Sequence, residues 1–186
     1  MKKIAILFLL STVLAASAQV SLGITLQNHF ENHNNDTNSS SSTFDLLAGP
    51  AVRFMIADKW ELDPTLGFHY IHTANKNGQN QTTGNEFGMF LGCGLFFHLL
   101  SNDFIRFSLG PDLYGDFWFT HDEYTFGIGM PINFDFLFNR AWSIRVSARA
   151  VDISYHARRS GNTMDGWFNY NLQSIFIPSF TVFYTF

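Results

Sequence analysis

Charged side chains occupy alternate positions of long apolar stretches in this chain, and they are the residues best suited to carry chemistry. Counted from the shortest connecting segments, they fall at three levels. Arg53, Glu61, Asp63, His98, Arg106, Asp135 and Arg145 lie lowest, Asp112 and Arg149 lie nearer mid-height, and Asp45, His69, Glu86 and Asp116 lie highest. Because buried charges persist only when they are paired, we expect arginine–carboxylate ion pairs in the two lower levels. These pairs could form a polar plug that sets strand register, or they could line a narrow path for ions.

The remaining histidines and the cysteine offer little further chemistry. His29, His33 and Asp36 lie close in sequence, but their spacing is loose and the segment is polar, so we expect a solvated loop and not a metal site. Cys93 is the single cysteine, which excludes an internal disulfide and a disulfide-stapled secreted domain. We therefore predict no metal and no cofactor.

The elements that must position the charges are long strands. Between Tyr124 and Phe138 every second residue is apolar or aromatic, and the residues between them are mostly polar or small. A period of two is that of a β-strand. This apolar face is longer than an ordinary strand of about 5–6 residues provides. Strands of roughly 9–11 residues with this alternation are typical of membrane-spanning β-barrels.

Eight alternating segments follow one another along the chain. They span residues 20–30, 43–56, 60–72, 85–99, 104–117, 124–138, 142–155 and 168–186. Short connections at 57–59, 101–103 and 139–141 alternate with long polar ones at 31–42, 73–84 and 156–166 and a shorter one at 118–123. This pattern predicts an all-β fold, an eight-stranded antiparallel up-and-down transmembrane β-barrel with the short turns and both termini in the periplasm. A change of phase near Ala150 predicts a β-bulge at the barrel rim.

Glycines and tryptophans add detail to this prediction. Gly88, Gly92, Gly94, Gly110, Gly127 and Gly129 share the parity of the charged residues, and we expect them to leave room for the inward side chains Arg149, Tyr114, Phe90 and Phe96. The tryptophans mark strand ends, with Trp60 and Trp142 after short turns and Trp118 and Trp167 beside long loops. Tryptophan is enriched at membrane–water interfaces, so we predict that all four belong to interfacial aromatic belts.

The first eighteen residues carry the pattern of an export signal. A basic start and an apolar run precede the small residues Ala16-Ser17-Ala18. This pattern predicts a signal peptide over 1–18, cleaved between Ala18 and Gln19, and a single mature domain over 19–186. Loss of two lysines leaves 9 of the 11 basic residues against 15 acidic ones, and this formal charge of −6 argues against nucleic acid as a partner.

Parity alone leaves open which face of the strands meets lipid. A soluble lipocalin-like barrel would hold its apolar face inside and its polar face in water. A water-facing surface of that size should be rich in lysine, yet the mature chain has only Lys59 and Lys76, one in a turn and one in a loop. We therefore expect the polar face inside and the apolar face against outer-membrane lipid.

The chain resembles the OmpA/OmpX-type family of small eight-stranded outer-membrane β-barrel proteins. The resemblance covers all of 19–186 and rests on the signal peptide, the alternating segments, their connections and the aromatic end at Tyr184 and Phe186. It implies a bacterial outer-membrane location and a monomer delivered by the export and barrel-assembly machineries, with Tyr184 and Phe186 as the terminal assembly signal. Because we expect no domain after Phe186, the barrel-only, OmpX-like form is closer.

This family implies a location and a fold more than a reaction. We expect a non-enzymatic envelope-structural or surface-interaction (adhesion-like) role, in which the long loops contact an extracellular ligand. A narrow porin-like ion channel is the alternative. Some small outer-membrane barrels are lipid A-modifying enzymes with a lipid-facing histidine and serine two residues apart. Here His72 has the apolar parity, but Ala74 takes the next alternate position, so such an enzyme is the lesser alternative.

Overall fold

The structure is a computed structural model that describes residues 19–35, 39–77, 80–120, 122–160, 163–172 and 178–186. The predicted signal peptide with Ala18, and Asp36, lie outside these described residues. The described chain is all-β. Its ten strands are β1 Gln19–Asn35, β2 Ser39–Ala57, β3 Trp60–Asn77, β4 Asn80–Ser101, β5 Ile105–Leu109, β6 Asp112–Trp118, β7 Glu123–Leu137, β8 Trp142–Ser160, β9 Thr163–Leu172 and β10 Ser179–Thr185.

The strands pair into one antiparallel sheet that closes on itself. The pairings run from β1 through β2, β3, β4, β6, β7, β8 and β10, and β10 pairs with β1 again. Strand β5 continues the line of β6 and pairs with the same two neighbours, β4 and β7. Among the described strands, β9 pairs with β8 alone and lies outside the ring. Closure removes the open edges that a flat sheet would present.

Gly110 and Pro111 divide the strand predicted over 104–117 into β5 and β6. The two parts keep one register, because Leu109 pairs with Ile132 and Asp112 pairs with Gly129. Pro111 has no N–H to donate to the ladder, which is why the strand is interrupted there. A Cβ at Gly110 would also clash with the carbonyl oxygen of Leu95, so only glycine fits this close approach.

The last predicted strand, 168–186, is also two strands, so the predicted count of eight differs from the ten observed. The strand β9 pairs with the outer part of β8, where Val151 faces Leu172. The strand β10 pairs with the beginning of β8, where Ser147 faces Ser179, and with β1. Six residues lie between Leu172 and Ser179 in the sequence, whereas three lie between their partners on β8, so β9 and β10 do not share one register along β8.

The three long polar segments predicted as loops are largely paired strands. They form hairpin arms in which Asn35 faces Ser39 and Ser160 faces Thr163, and β3 and β4 pair in the same way to their common tip. Asparagine, serine and glycine have low β-propensity, so composition alone predicted loops. Pairing overrides this preference, because each arm extends the ladder of the sheet below it. We call this side of the sheet the arm end.

The opposite side, here called the turn end, has the predicted tight turns. Asp58 and Lys59 alone separate β2 from β3. Asn102 Oδ1 accepts hydrogen bonds from the backbone N–H groups of Phe104 and Ile105, at 2.9 and 2.8 Å. Asn139 Oδ1 does the same for Ala141 and Trp142, both at 2.8 Å. These side chains hold the turns by bonding to nearby backbone, which is a common role of asparagine.

The phase change near Ala150 is a β-bulge, as predicted. Met130 pairs with Val151 and Pro131 pairs with Arg149, so Ala150 is an extra residue on β8. The bulge lies in the middle of this long strand and not at the rim of the sheet. Beyond it the parity of β8 reverses, and Ser154 is buried in the interior while Tyr155 is exposed on the outer face.

Candidate functional site

Arg145 on β8 is the centre of a buried ion-pair network near the turn end. Its Nε donates to Asp135 Oδ1 at 2.8 Å and its Nη2 donates to Asp135 Oδ2 at 2.7 Å. Nη2 also lies 2.6 Å from Glu61 Oε1, and Nη1 donates to Asp63. One guanidinium thus contacts three carboxylates from β3 and β7. The planar fork of arginine suits this bidentate geometry, which an ammonium group would not provide.

Arg53 on β2 supplies the second cation of this network. Its Nη2 donates to Asp135 Oδ1 at 2.8 Å, and its Nε lies 3.3 Å from Glu61 Oε2. His98 Nε2 lies 3.1 Å from the same Glu61 oxygen. The guanidinium carbon of Arg53 also lies 3.8 Å above the ring of Phe183, which is only 1% exposed. The network therefore crosses the whole interior, from β2 and β3 to β7, β8 and β10.

Six of the seven residues predicted at the lowest level belong to this network, and Arg106 does not. Arg106 on β5 is paired in register with Asp135, but both oxygens of that carboxylate already accept from Arg53 and Arg145. The Arg106 guanidinium makes no ion pair or hydrogen bond with any residue that the structure describes. It lines the mouth of the sheet at the turn end.

A second ion-pair group lies at mid-height, as predicted for Asp112 and Arg149. Arg149 Nη2 donates to Asp112, and the guanidinium carbon lies 4.2 Å from the centre of the Tyr114 ring. The sequence analysis missed Asp152, which accepts a 2.7 Å hydrogen bond from Tyr114 and lies 3.8 Å from Arg149 Nη1. The phase change near Ala150 was the available signal, because it turns Asp152 inward.

A third group lies towards the arm end, where the sequence placed Asp45, His69 and Asp116. His69 Nε2 lies 2.5 Å from Asp45 Oδ1, and Nδ1 lies 3.4 Å from Asp116 Oδ1. One imidazole therefore bridges β2 and β6 across the interior. The Trp118 ring packs on it, with ring centres 4.5 Å apart.

The four tryptophans do not all face outwards as predicted. Trp60 and Trp142 are exposed on the outer face at the turn end, where they contact Phe97 and Tyr184. Trp118 packs on interior His69, and Trp167 on β9 stacks on His156 with the ring planes 8° apart. The packing of Trp118 on His69 turns it away from the outer face, because strand position alone does not fix the face, whereas Trp167 is 43% exposed, as Trp60 is, and its place in a belt stays a prediction.

The inward glycines create the space that was predicted for long side chains. A Cβ at Gly92 would lie 2.9 Å from the Phe90 ring, and Cβ atoms at Gly94, Gly127 and Gly129 would clash with Phe96, Tyr114 and Arg149. These are the four side chains expected there. Between the lower groups an interior cavity of about 240 Å³ remains, lined by charged and aromatic side chains.

A serine and a histidine two residues apart do occur on β8, which the sequence analysis missed. Ser154 Oγ lies 3.0 Å from His156 Nε2, and Thr125 Oγ1 lies 3.0 Å from His156 Nδ1. Ser154 is 4% exposed and faces the interior, and a threonine occupies the place that an orienting acid would take. This order and orientation differ from the lipid-facing histidine–serine pair that was sought. The sequence analysis assigned His156 to a loop over 156–166 and therefore did not place it on the same strand as Ser154.

The described residues contain no group of three or more histidine, cysteine, aspartate or glutamate side chains arranged to hold a metal ion. Within the same residues, no helix is both long and apolar enough to cross a membrane. Of the three residues for which a solvated loop was predicted, His29 lies on β1, with its Nε2 3.9 Å from Glu31 Oε2, and the His33 side chain and Asp36 lie outside the described part of the chain.

Comparison with known proteins gives a single kind of match. No protein-family model matches the chain, and no curated protein matches its sequence. Among solved structures, the fold is similar to the outer membrane protein Ail of Yersinia pestis, determined as a backbone structure in a phospholipid bilayer nanodisc. The identity is 13% and the TM-score is 0.42, over 91% of this chain and 100% of that one.

Proposed function

We propose that the closed sheet is an integral outer-membrane β-barrel with a structural and surface-interaction role and no enzymatic activity. The observation that carries the proposal is the reversed distribution of polarity. The buried side chains are mainly polar or charged, including Arg53, Glu61, Asn133 and Asp135, each at most 1% exposed. Large apolar side chains are exposed on the outer face of the sheet, such as Ile24 at 63% and Phe68 at 66%. A water-soluble protein rarely exposes a continuous apolar surface of this kind.

The outer face is apolar over a limited height, as a bilayer requires. On β7 the exposed side chains include Phe126, Ile128, Met130, Phe134 and Phe136. The ends of the β1–β2 and β3–β4 arms are polar, and β2 begins with a run of four serines, whereas β9 in the third arm also exposes Phe168 and Tyr170. A band of this kind suits a hydrocarbon layer about 25 Å tall with polar strands projecting above it. We place the arms outside the cell and the turn end in the periplasm.

The interior supports a structural role over a transport role. The network around Arg145 joins strands from opposite sides of the sheet, and the Asp112–Arg149 and His69 groups bridge it again at greater heights. A small barrel of eight strands has an interior that side chains can fill. Paired charges cross the interior at successive levels, and a cavity of about 240 Å³ lies among them. The projecting arms are then the surface available to an extracellular partner.

The proposal is tested on protein refolded into detergent or lipid, by gel mobility with and without heating and by circular dichroism. We expect a β-rich monomer whose mobility changes on heating, because a closed hydrogen-bonded sheet resists detergent until it is heated. A water-soluble protein with unchanged mobility would overturn the membrane location. Apolar ligand binding inside a lipocalin-like cup would then be the next hypothesis to test.

The surface role has a separate test that uses the arms. Shortening the β1–β2 arm by deleting 31–42 removes polar hairpin and leaves the apolar band intact. We expect the shortened protein to refold normally and to lose adhesion of expressing cells to host-type surfaces or to each other. Equal adhesion by cells with the complete and the shortened protein would count against an interaction role for this arm.

A lipid A mass spectrum that changes with expression would contradict the absence of enzymatic activity.

A further inference from the structure

A cavity of about 620 Å³ lies at the turn end, below the ion-pair network, with which it shares Arg53. Its walls include Arg53, Arg106 and Arg140, from β2, from β5 and from the turn before β8. Asp103 is the one acidic residue among the described residues that line it. The cavity is therefore rich in hydrogen-bond donors and in positive charge, in a chain whose net charge is −4.

Among the residues that the structure describes, Arg106 and Arg140 in this wall have no ion-pair partner, whereas Arg53 is paired with Glu61 and Asp135. Both carboxylate oxygens of Asp135, the register partner of Arg106, already accept hydrogen bonds from Arg53 or Arg145. An inward-facing guanidinium next to two other guanidiniums is costly unless an anion compensates it. Arg140 lies in the exposed turn between β7 and β8 and borders the same cavity.

A buried hydroxyl gives a second and independent indication of a ligand. Ser143 on β8 is 4% exposed, and its Oγ has no hydrogen-bond partner among the described residues. It lines the same cavity as Arg106 and Arg140. A buried polar atom without a partner carries a free-energy cost that a bound ligand would remove.

We propose that the turn-end cavity binds a phosphate group, held by the Arg106 and Arg140 guanidiniums and by the Ser143 hydroxyl. Each planar guanidinium can donate two hydrogen bonds to two oxygens of a tetrahedral phosphate, and a hydroxyl supplies one further donor. The phosphate can come from a soluble anion or from a phospholipid headgroup. A phospholipid headgroup could reach the cavity because Trp142 borders it and is exposed on the outer face. Interfacial aromatic residues lie at the depth of the headgroups. Only that second source rests on the proposed membrane location.

The test is calorimetric titration of the whole mature protein, in uncharged maltoside micelles, with sodium phosphate. Sodium chloride at the same ionic strength corrects for general charge screening. We expect saturable binding that is weakened about tenfold or more by Arg106→Gln and by Arg140→Gln, since each removes a charge-assisted hydrogen bond. Lys59→Gln is the matched control, because it removes a cation from another tight turn of the same end and outside this cavity.

The site and the source of the phosphate have separate readouts. Binding that is lost in the arginine variants and kept in Lys59→Gln supports the site, with circular dichroism used to establish that each variant is folded. No saturable binding, or equal weakening by Lys59→Gln, overturns it. For the source, the Arg106 Nε–H signal is followed in phosphatidylcholine nanodiscs while sodium phosphate is added, with sodium chloride at the same ionic strength as the control. In a protein that binds phosphate in micelles, a signal that does not respond in nanodiscs supports a lipid headgroup already in the site, and a signal that shifts supports a soluble anion.

Discussion

Asp135 on β7 and Arg145 on β8 face each other in register and share two hydrogen bonds, at 2.8 and 2.7 Å. A one-residue slip between these strands would turn one of the two side chains to the outer face and break both bonds. The same guanidinium also contacts Glu61 and Asp63 on β3. The pair therefore fixes the pairing of adjacent strands and ties it to the opposite wall of the interior.

Removal of Arg145 should be among the most destabilising single changes in the interior. Arg145→Ala leaves three buried carboxylates without their main cation, and breaking a buried pair in this way costs about 3–5 kcal/mol. The free energy of unfolding by urea, measured in lipid vesicles, checks this value. Lys76→Ala, in the β3 arm, removes an exposed cation and should be nearly neutral. A loss for Arg145→Ala as small as that of the control would contradict the central role of the pair.

The fit between Gly92 and Phe90 predicts a rescue. Gly92→Ala would push the new methyl group against the Phe90 ring and should destabilise the protein by about 1–3 kcal/mol, as overpacking does. In Gly92→Ala with Phe90→Leu, the smaller side chain makes room, so the two changes should be less damaging together than their sum. Gly84→Ala is the control, because nothing lies within 4 Å of a Cβ there. Additive losses in the double variant would rule out this contact.

The apolar band of β7 predicts a cost that depends on depth. Met130→Arg places a charge near the middle of the band and should cost about 2–4 kcal/mol, whereas Phe138→Arg, just past the turn-end limit of the strand, should cost about 0–1 kcal/mol. Both side chains are exposed, at 43% and 67%. Unfolding free energies in vesicles provide the comparison. Similar costs at the two positions would mean that the outer face does not meet a hydrocarbon layer.

The paired interior predicts that the protein conducts poorly. In planar bilayers we expect no stable discrete current steps, because charged groups cross the interior at three levels. The narrow-channel alternative predicts steps whose size shifts when Asp112→Asn or Arg149→Gln removes a charge from the mid-height group. Silence from the wild-type protein at several voltages would favour the plug, and steps that respond to these variants would favour the channel.

The orientation of the two ends can be tested with two cysteines in a Cys93→Ser background. Lys76→Cys lies in an arm and Lys59→Cys lies in a tight turn, and both replace exposed lysines. A maleimide that cannot cross membranes should label the arm position in intact cells and label both positions in lysed cells. Labelling of the turn position in intact cells would reverse the proposed orientation.

The sequence predicted which residues face inwards far better than where the strands end. Alternation located the network around Arg145 and the mid-height Asp112–Arg149 pair, because a period of two assigns each side chain to a face. The same alternation predicted space for Phe90 beside Gly92. These successes share one physical basis, the contrast between an apolar outside and a polar inside.

The failures arise where pairing, and not composition, decides the structure. The arms look like loops because serine and asparagine have low β-propensity, yet their backbones continue the ladders of the strands below. Trp118 looked interfacial because it ends a strand, and its packing on His69 depends on a contact between distant segments. The bulge at Ala150 turns the Asp152 side chain inwards. Only the changed alternation after the bulge could have shown from the sequence that Asp152 faces the interior.

The seam between β1 and β10 makes closure depend on the two ends of the described chain. Ser21 and Thr185 share a 2.8 Å hydrogen bond across a sequence separation of 164 residues. Contacts of such long range are the slowest to form, because the entropy of closing the largest loop must be overcome first. Until the seven residues of β10 dock, β1 and the beginning of β8 keep bare edges that another chain could capture. The topology thus requires that β10 pairs last. An assembly factor that shields the edges of β1 and β8 would have to act before β10 pairs with them.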